Sequence, residues 1–133
     1  MNIIGMAKTG TAGIFMLAVA LATFLPGCAR EEAVSFSQGV KPIIDQNCLA
    51  CHKEGGAGYE ASGFSMETYE GLMKGTKFGP MIIAGDSIGS NMIVLMEGRA
   101  DPSISMPHGD MDPVSKQEIE IIRLWIDQGA QNN

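Results

Sequence analysis

The feature that most constrains this chain is the pentapeptide Cys48-Leu49-Ala50-Cys51-His52, which holds two of its three cysteines and one of its two histidines. Four chemistries use such a Cys-x-x-Cys pair: a redox dithiol, a structural disulfide, part of a zinc site, and the attachment point of a c-type haem. A thioredoxin-like dithiol needs a βαβ setting, and no strand-rich pattern surrounds this one. Zinc asks for about four protein ligands. With Cys28 assigned elsewhere, as argued below, the remaining Cys or His is His108, distant along the chain. An exported pair can oxidise to a disulfide. The histidine directly after the second cysteine favours the fourth chemistry, for which Cys-x-x-Cys-His is the signature. Two thiols at this spacing reach the two vinyl groups on one porphyrin edge, and the adjacent imidazole is carried under the ring toward iron. The expectation is one covalent haem c, held by Cys48 and Cys51, with His52 as the proximal iron ligand.

The N-terminal quarter sets the compartment. Residues 1–11 carry a single charge, Lys8, and residues 9–27 carry none. An n-region, a short apolar h-region and small residues before a cut site describe a secretory signal. A transmembrane helix is the rival reading, because the uncharged stretch approaches spanning length. Pro26-Gly27 closes the stretch, however, and Arg30 is offset by Glu31 and Glu32, so no basic cluster follows. Leu25-Pro26-Gly27-Cys28 resembles the lipobox of bacterial lipoproteins, in which cleavage precedes the cysteine and that cysteine is acylated. Two or more acyl chains anchor stably. Ala29, in place of Asp, weighs toward the outer membrane over retention at the inner one. The expected organisation is a lipoprotein signal peptide at 1–27, a lipidated tether at 28–34 and a folded domain at 35–133. The chain is then held on the periplasmic side of a membrane or at the cell surface.

Charge narrows the partners. Residues 28–133 hold eight basic and fifteen acidic side chains, a formal charge of −7. Nucleic-acid binding asks for a basic stripe, so that class is set aside. An acidic surface suits a basic protein partner.

Hydrophobic spacing points to helices. Phe36, Val40, Ile43, Ile44 and Leu49 recur at helical intervals and run into the haem motif. Pro42 suits the first turn of a helix starting near Val40, after a turn at 35–39, or else it kinks a longer helix. Ser115-Lys116-Gln117-Glu118 is a capping box. It opens a helix in which Ile119, Ile121, Ile122, Leu124, Trp125 and Ile126 give a strongly apolar face, with Gly129 placed to end it. Trp125 is expected to pack near Phe36 or Ile44. Between these ends the sequence predicts short helices at 66–74 and 90–97, with residues 79–86 extended along the porphyrin edge. A phosphate-binding loop is rejected, since the strand–glycine–helix order with Lys-Ser/Thr is missing.

The sixth iron ligand is sought among ten methionines. Met92 and Met96, four apart on a helix, read as core filler. Met106 sits in the irregular segment Ser103-Ile-Ser-Met-Pro-His-Gly109. Pro107 turns Met106 away from helical conformation, which frees its side chain to reach a haem face. Met106 is therefore the expected distal ligand, since His and Met are a common pair. His108 and Met111 compete with it.

Together, the run from Pro42 to His52, Tyr69-Glu-Gly-Leu-Met-Lys-Gly75, Gly85-Asp86 with Ser90, Met106-Pro107 and Leu124-Trp-Ile-Asp-Gln-Gly-Ala130 resemble the planctomycete-type cytochrome c domain. That group lies within the class I mono-haem cytochromes c. The resemblance implies an all-α domain around one haem, thioethers at Cys48 and Cys51, and axial ligands His52 and Met106. Where the family often has Met-Pro-Pro, this chain has His108 in place of the second proline. The function implied is a membrane-tethered carrier of single electrons between extracytoplasmic redox proteins, not an enzyme. The alternatives are a haem sensor or small-ligand enzyme with a labile sixth ligand, and a haem subunit of a larger oxidoreductase complex.

Overall fold

The structure is a computed structural model that describes residues 32–133. Among the described residues it is helical, with an isolated bridge between Thr76 and Gly79 in place of any sheet. A wide helical turn at Phe36–Val40 feeds α1 (Lys41–Asn47). It is followed by α2 (Ala57–Ser62), α3 (Tyr69–Lys74), α4 (Asn91–Met96), a tight turn at Pro102–Ile104, and α5 (Lys116–Asp127). Pro42 occupies the first turn of α1, directly after the wide turn in which the Lys41 N–H donates to the Phe36 carbonyl.

The core lies where the Phe36–Val40 turn and α1 meet α5. Val40, Ile44, Ile122 and Ile126 are fully buried there. The Phe36 and Trp125 rings stand 5.4 Å apart, and Tyr69 closes the cluster at 5.3 Å from Phe36. The expected meeting of Trp125 and Phe36 is thus observed. Both aromatic polar groups are satisfied: Trp125 Nε1–H donates to the Gln131 carbonyl at 2.9 Å and Tyr69 Oη–H to the Ala130 carbonyl at 2.8 Å. Burying such groups unpaired would cost on the order of 1–3 kcal/mol each.

The start of the described segment is clasped to the residues after α5. Asn133 accepts from the N–H groups of Phe36 and Ser37, two donors at the start of the first helical turn. The Val34 N–H donates to Gln128 Oε1 at 2.7 Å, and Gln128 Nε2 donates to the Glu32 carbonyl. Residues 32–34, expected as the last part of a tether, are therefore hydrogen-bonded to the domain.

Local signatures end the helices as expected. The Ser115–Glu118 box forms in both directions, and Gly129 (φ 99°) follows the last turn of α5. Two features depart from expectation. The helix expected at 66–74 begins only at Tyr69, with Thr68 as its cap. And α2 was not foreseen, because its glycine-rich approach and small residues carry no hydrophobic stripe. The loop before α4 is stapled by buried serines. Ser87 N–H and Oγ–H both donate to Asp127, and Ser90 Oγ accepts from the Ile83 N–H while donating to the Asp86 carbonyl.

Candidate functional site

The haem motif follows directly from α1. The N–H groups of Cys48 and Leu49 both donate to the Ile44 carbonyl, so the helix closes and the chain turns. Cys51 and His52 then donate back to the Cys48 carbonyl, at 3.1 and 3.0 Å. This turn aims Cys48, Cys51 and His52 at a cavity of about 770 Å³, within the usual size of a small-molecule or cofactor site. Met106 lines the same cavity. All four residues expected to hold haem are therefore gathered around one space, although they come from opposite halves of the domain. Cys28 lies outside the described residues.

His52 is buried, at 7% exposure, and its orientation is set by a backbone group. Its Nδ1 lies 3.2 Å from the Phe64 carbonyl. A carbonyl only accepts, so Nδ1 carries the proton and Nε2 keeps its lone pair. Among the described residues Nε2 has no hydrogen-bond partner. Burial holds the imidazole below its ordinary pKa; the Phe64 carbonyl pulls the other way, and His108, on the same cavity, adds to the lowering. A neutral imidazole with one nitrogen committed to a carbonyl and the other free is the form that binds a metal.

Cys48 and Cys51 are free thiols, so no disulfide joins them. Burial pushes the Cys48 thiol up to about 11, with Cys51 and Glu118 adding to the effect. Among the described residues no three His, Cys, Asp or Glu side chains gather as a metal-ion site.

The walls fit a flat, apolar group. On one side α2 presents Ala57, Gly58 and Ala61, and it has no buried residue of its own. Ala57 and Ala61 stay exposed on this wall, while Gly58 stands close against the His52 ring. On other sides stand Phe64, Pro80 and Ile83. Met92 and Met96, expected as core filler, are indeed buried but also line the cavity, as do Met66, Met81 and Met111. Six methionines with Met106 thus border the space, a polarizable lining that suits an aromatic ring. His108 lines it as well but is exposed. The Met106 loop is tied down by the Met106 N–H donating to the Leu95 carbonyl at the end of α4. Sequence reading missed Gly58 and the Phe64 carbonyl. The small residues at 57, 58 and 61, one turn of helix apart, were the available signal for the first; a backbone acceptor leaves none.

Comparison with known proteins gives one family. Residues 48–110 match the family model described as Planctomycete cytochrome C. Neither the comparison with curated proteins nor that with solved structures found a match. The matched segment runs from the haem motif through the Met106 loop, the two parts that meet at the cavity. With the helical fold, this match supports a planctomycete-type cytochrome c domain, a family whose cofactor is haem c and whose chemistry is haem-based electron transfer.

Proposed function

We propose that this chain is a lipid-tethered cytochrome with one haem, which passes single electrons between redox proteins outside the cytoplasm. The observation that carries the reading is the state of His52: Nδ1–H is committed to Phe64, leaving Nε2 as the donor in a cavity shared with Cys48, Cys51 and Met106. Cys48 and Cys51 would hold the haem through thioethers, and His52 and Met106 would be its axial ligands. The bound haem supplies a one-electron ferric/ferrous couple. The Phe64 carbonyl orients the imidazole and raises its basicity, and the apolar walls keep water from the iron. With His52 and Met106 both holding the iron, no site would remain open for a substrate, and the role would be that of a carrier.

The cavity rim suits a docking partner. Phe78 is 81% exposed and Ile104 51%, and both line the cavity. The loop that carries Met106 has Asp101, Asp110 and Asp112 but no lysine or arginine between residues 100 and 115. A basic redox protein with an apolar patch fits that rim. Attachment to a membrane would come from Cys28. No helix among the described residues is long and apolar enough to cross a membrane.

One preparation tests this reading. Mature protein purified from membranes should stain for haem after denaturing electrophoresis, with the mass of one haem and of acyl chains on Cys28. Haem that extracts into acidified organic solvent would defeat the cofactor assignment. An unacylated N-terminus upstream of Cys28 would defeat the anchor.

A further inference from the structure

Gly58 lies within α2, a six-residue helix, at a backbone conformation that any residue adopts. Glycine inside a helix costs about 0.5–1 kcal/mol relative to alanine. No turn or positive φ requires it there, so the reason for it lies in what surrounds it. A Cβ at Gly58 would stand 2.8 Å from His52 Cε1, 2.9 Å from His52 Nε2 and 3.1 Å from the Cys51 carbonyl oxygen. The two nearest atoms belong to the edge of the imidazole that carries the free nitrogen.

The neighbouring Gly56 makes a useful contrast. A Cβ there would stand 2.4 Å from the Cys51 carbonyl oxygen and 2.9 Å from its carbon. Backbone cannot step aside without opening the haem-motif turn, so Gly56 serves the fold. At Gly58 the nearest obstacle is the far end of a side chain, which relieves the clash by swinging. The ring has little slack for that movement. Nδ1–H is bonded to the Phe64 carbonyl, and the Phe64 ring meets the imidazole edge-on at a centroid distance of 5.5 Å. A methyl group at position 58 therefore acts on the direction of Nε2 and on the Nδ1–H bond, while α2 keeps its helix.

We infer that Gly58 is a positioning residue for the proximal ligand: its missing side chain leaves the clearance in which His52 keeps the orientation set by the Phe64 carbonyl. The inference rests on the haem reading of this cavity. Gly58→Ala is compared with the wild type and with Gly63→Ala, all as full-length haem-loaded protein. Gly63 ends α2 at φ +72°, and its Cβ would meet only Lys77, so alanine there strains the helix end away from the imidazole. Gly58→Ala should keep covalent haem and helical circular dichroism. It should show a high-spin fraction in the ferric absorption spectrum, displaced hyperfine-shifted ring protons of His52 and a shifted midpoint potential. Gly63→Ala should melt at a lower temperature with wild-type spectra. Unchanged spectra and potential in Gly58→Ala would overturn the inference while leaving the haem reading intact. If Gly58→Ala accumulates without haem, normal loading of Gly63→Ala supports the inference, and loss of haem from both overturns it, because helix stability would then be the cause. A wild type without covalent haem removes the haem reading and this inference together.

Discussion

The core around the Phe36–Val40 turn and α5 and the wall formed by α2 differ in what fills them. In the first, side chains fill the space: Val40, Ile44, Ile122, Trp125 and Ile126 are at most 1% exposed. In the second, α2 buries no side chain at all and turns alanine and glycine toward a cavity. Apolar burial contributes roughly 25 cal/mol per Å², so the first region is stabilised by the protein itself. The second gains that contact only when a large apolar group enters. On the haem reading, the domain is half self-sufficient and half completed by its cofactor, with stability in one region and redox chemistry in the other.

The sharpest way to break the comparison is to prevent attachment. Cys48→Ala/Cys51→Ala should abolish covalent haem altogether. Hydrogen exchange of the resulting chain should then lose protection in α2 and around residues 100–111 well before α1 and α5. Equal protection loss in all helices would show that the core also depends on the cofactor.

Next in size is Trp125→Ala, which removes the largest fully buried side chain. Truncating a buried aromatic costs about 3–5 kcal/mol, read as a lower denaturant midpoint. At temperatures where the variant remains folded, its visible spectrum should match the wild type. A changed spectrum there would mean that the core and the haem environment are not separable.

Met106→Ala acts on the other region. Thioether sulfur favours ferrous iron, so its loss should lower the midpoint potential, remove the Met–iron charge-transfer band and admit carbon monoxide, with a small effect on unfolding. His108→Ala should leave band and potential in place. The reverse pattern would assign the sixth position to His108. Rapid carbon monoxide binding by the wild type, with no Met–iron band, would favour a sensor or small-ligand enzyme over a carrier.

The smallest effect is expected at the start of α5. Ser115→Ala removes a cap worth about 1 kcal/mol. The Ser115 hydroxyl and N–H hold the Glu118 carboxyl below its ordinary pKa, with Asn47 helping. A depressed carboxylate stabilises the fold above its unfolded pKa, and that contribution is lost as pH falls through the folded one. The stability gap between Ser115→Ala and wild type should therefore be full at neutral pH and narrow in acid, below the ordinary carboxylate range. A gap that stays constant with pH would assign the effect to the hydroxyl alone.

Sequence by itself determined whatever is decided among residues a few positions apart. The Ser115–Glu118 box, the stop at Gly129, Pro42 in the first turn of α1 and the spacing of Cys48, Cys51 and His52 are all local, and each is found where the pattern put it. The apolar stripes on α1 and α5 were also legible, because a helix repeats its buried side every three or four residues. Tertiary structure decided what depends on meeting distant chain. That Met106 borders the cavity of Cys48 and His52 follows from packing, as does the presence of five further methionines around it. The Phe64 carbonyl that selects the His52 tautomer is a backbone group, identical in every residue type, so no sequence letter announces it. α2 went unread for the complementary reason. Its small side chains are shaped to a cofactor rather than to a hydrophobic core, and a pattern search for buried protein surface finds nothing where the buried surface belongs to another molecule.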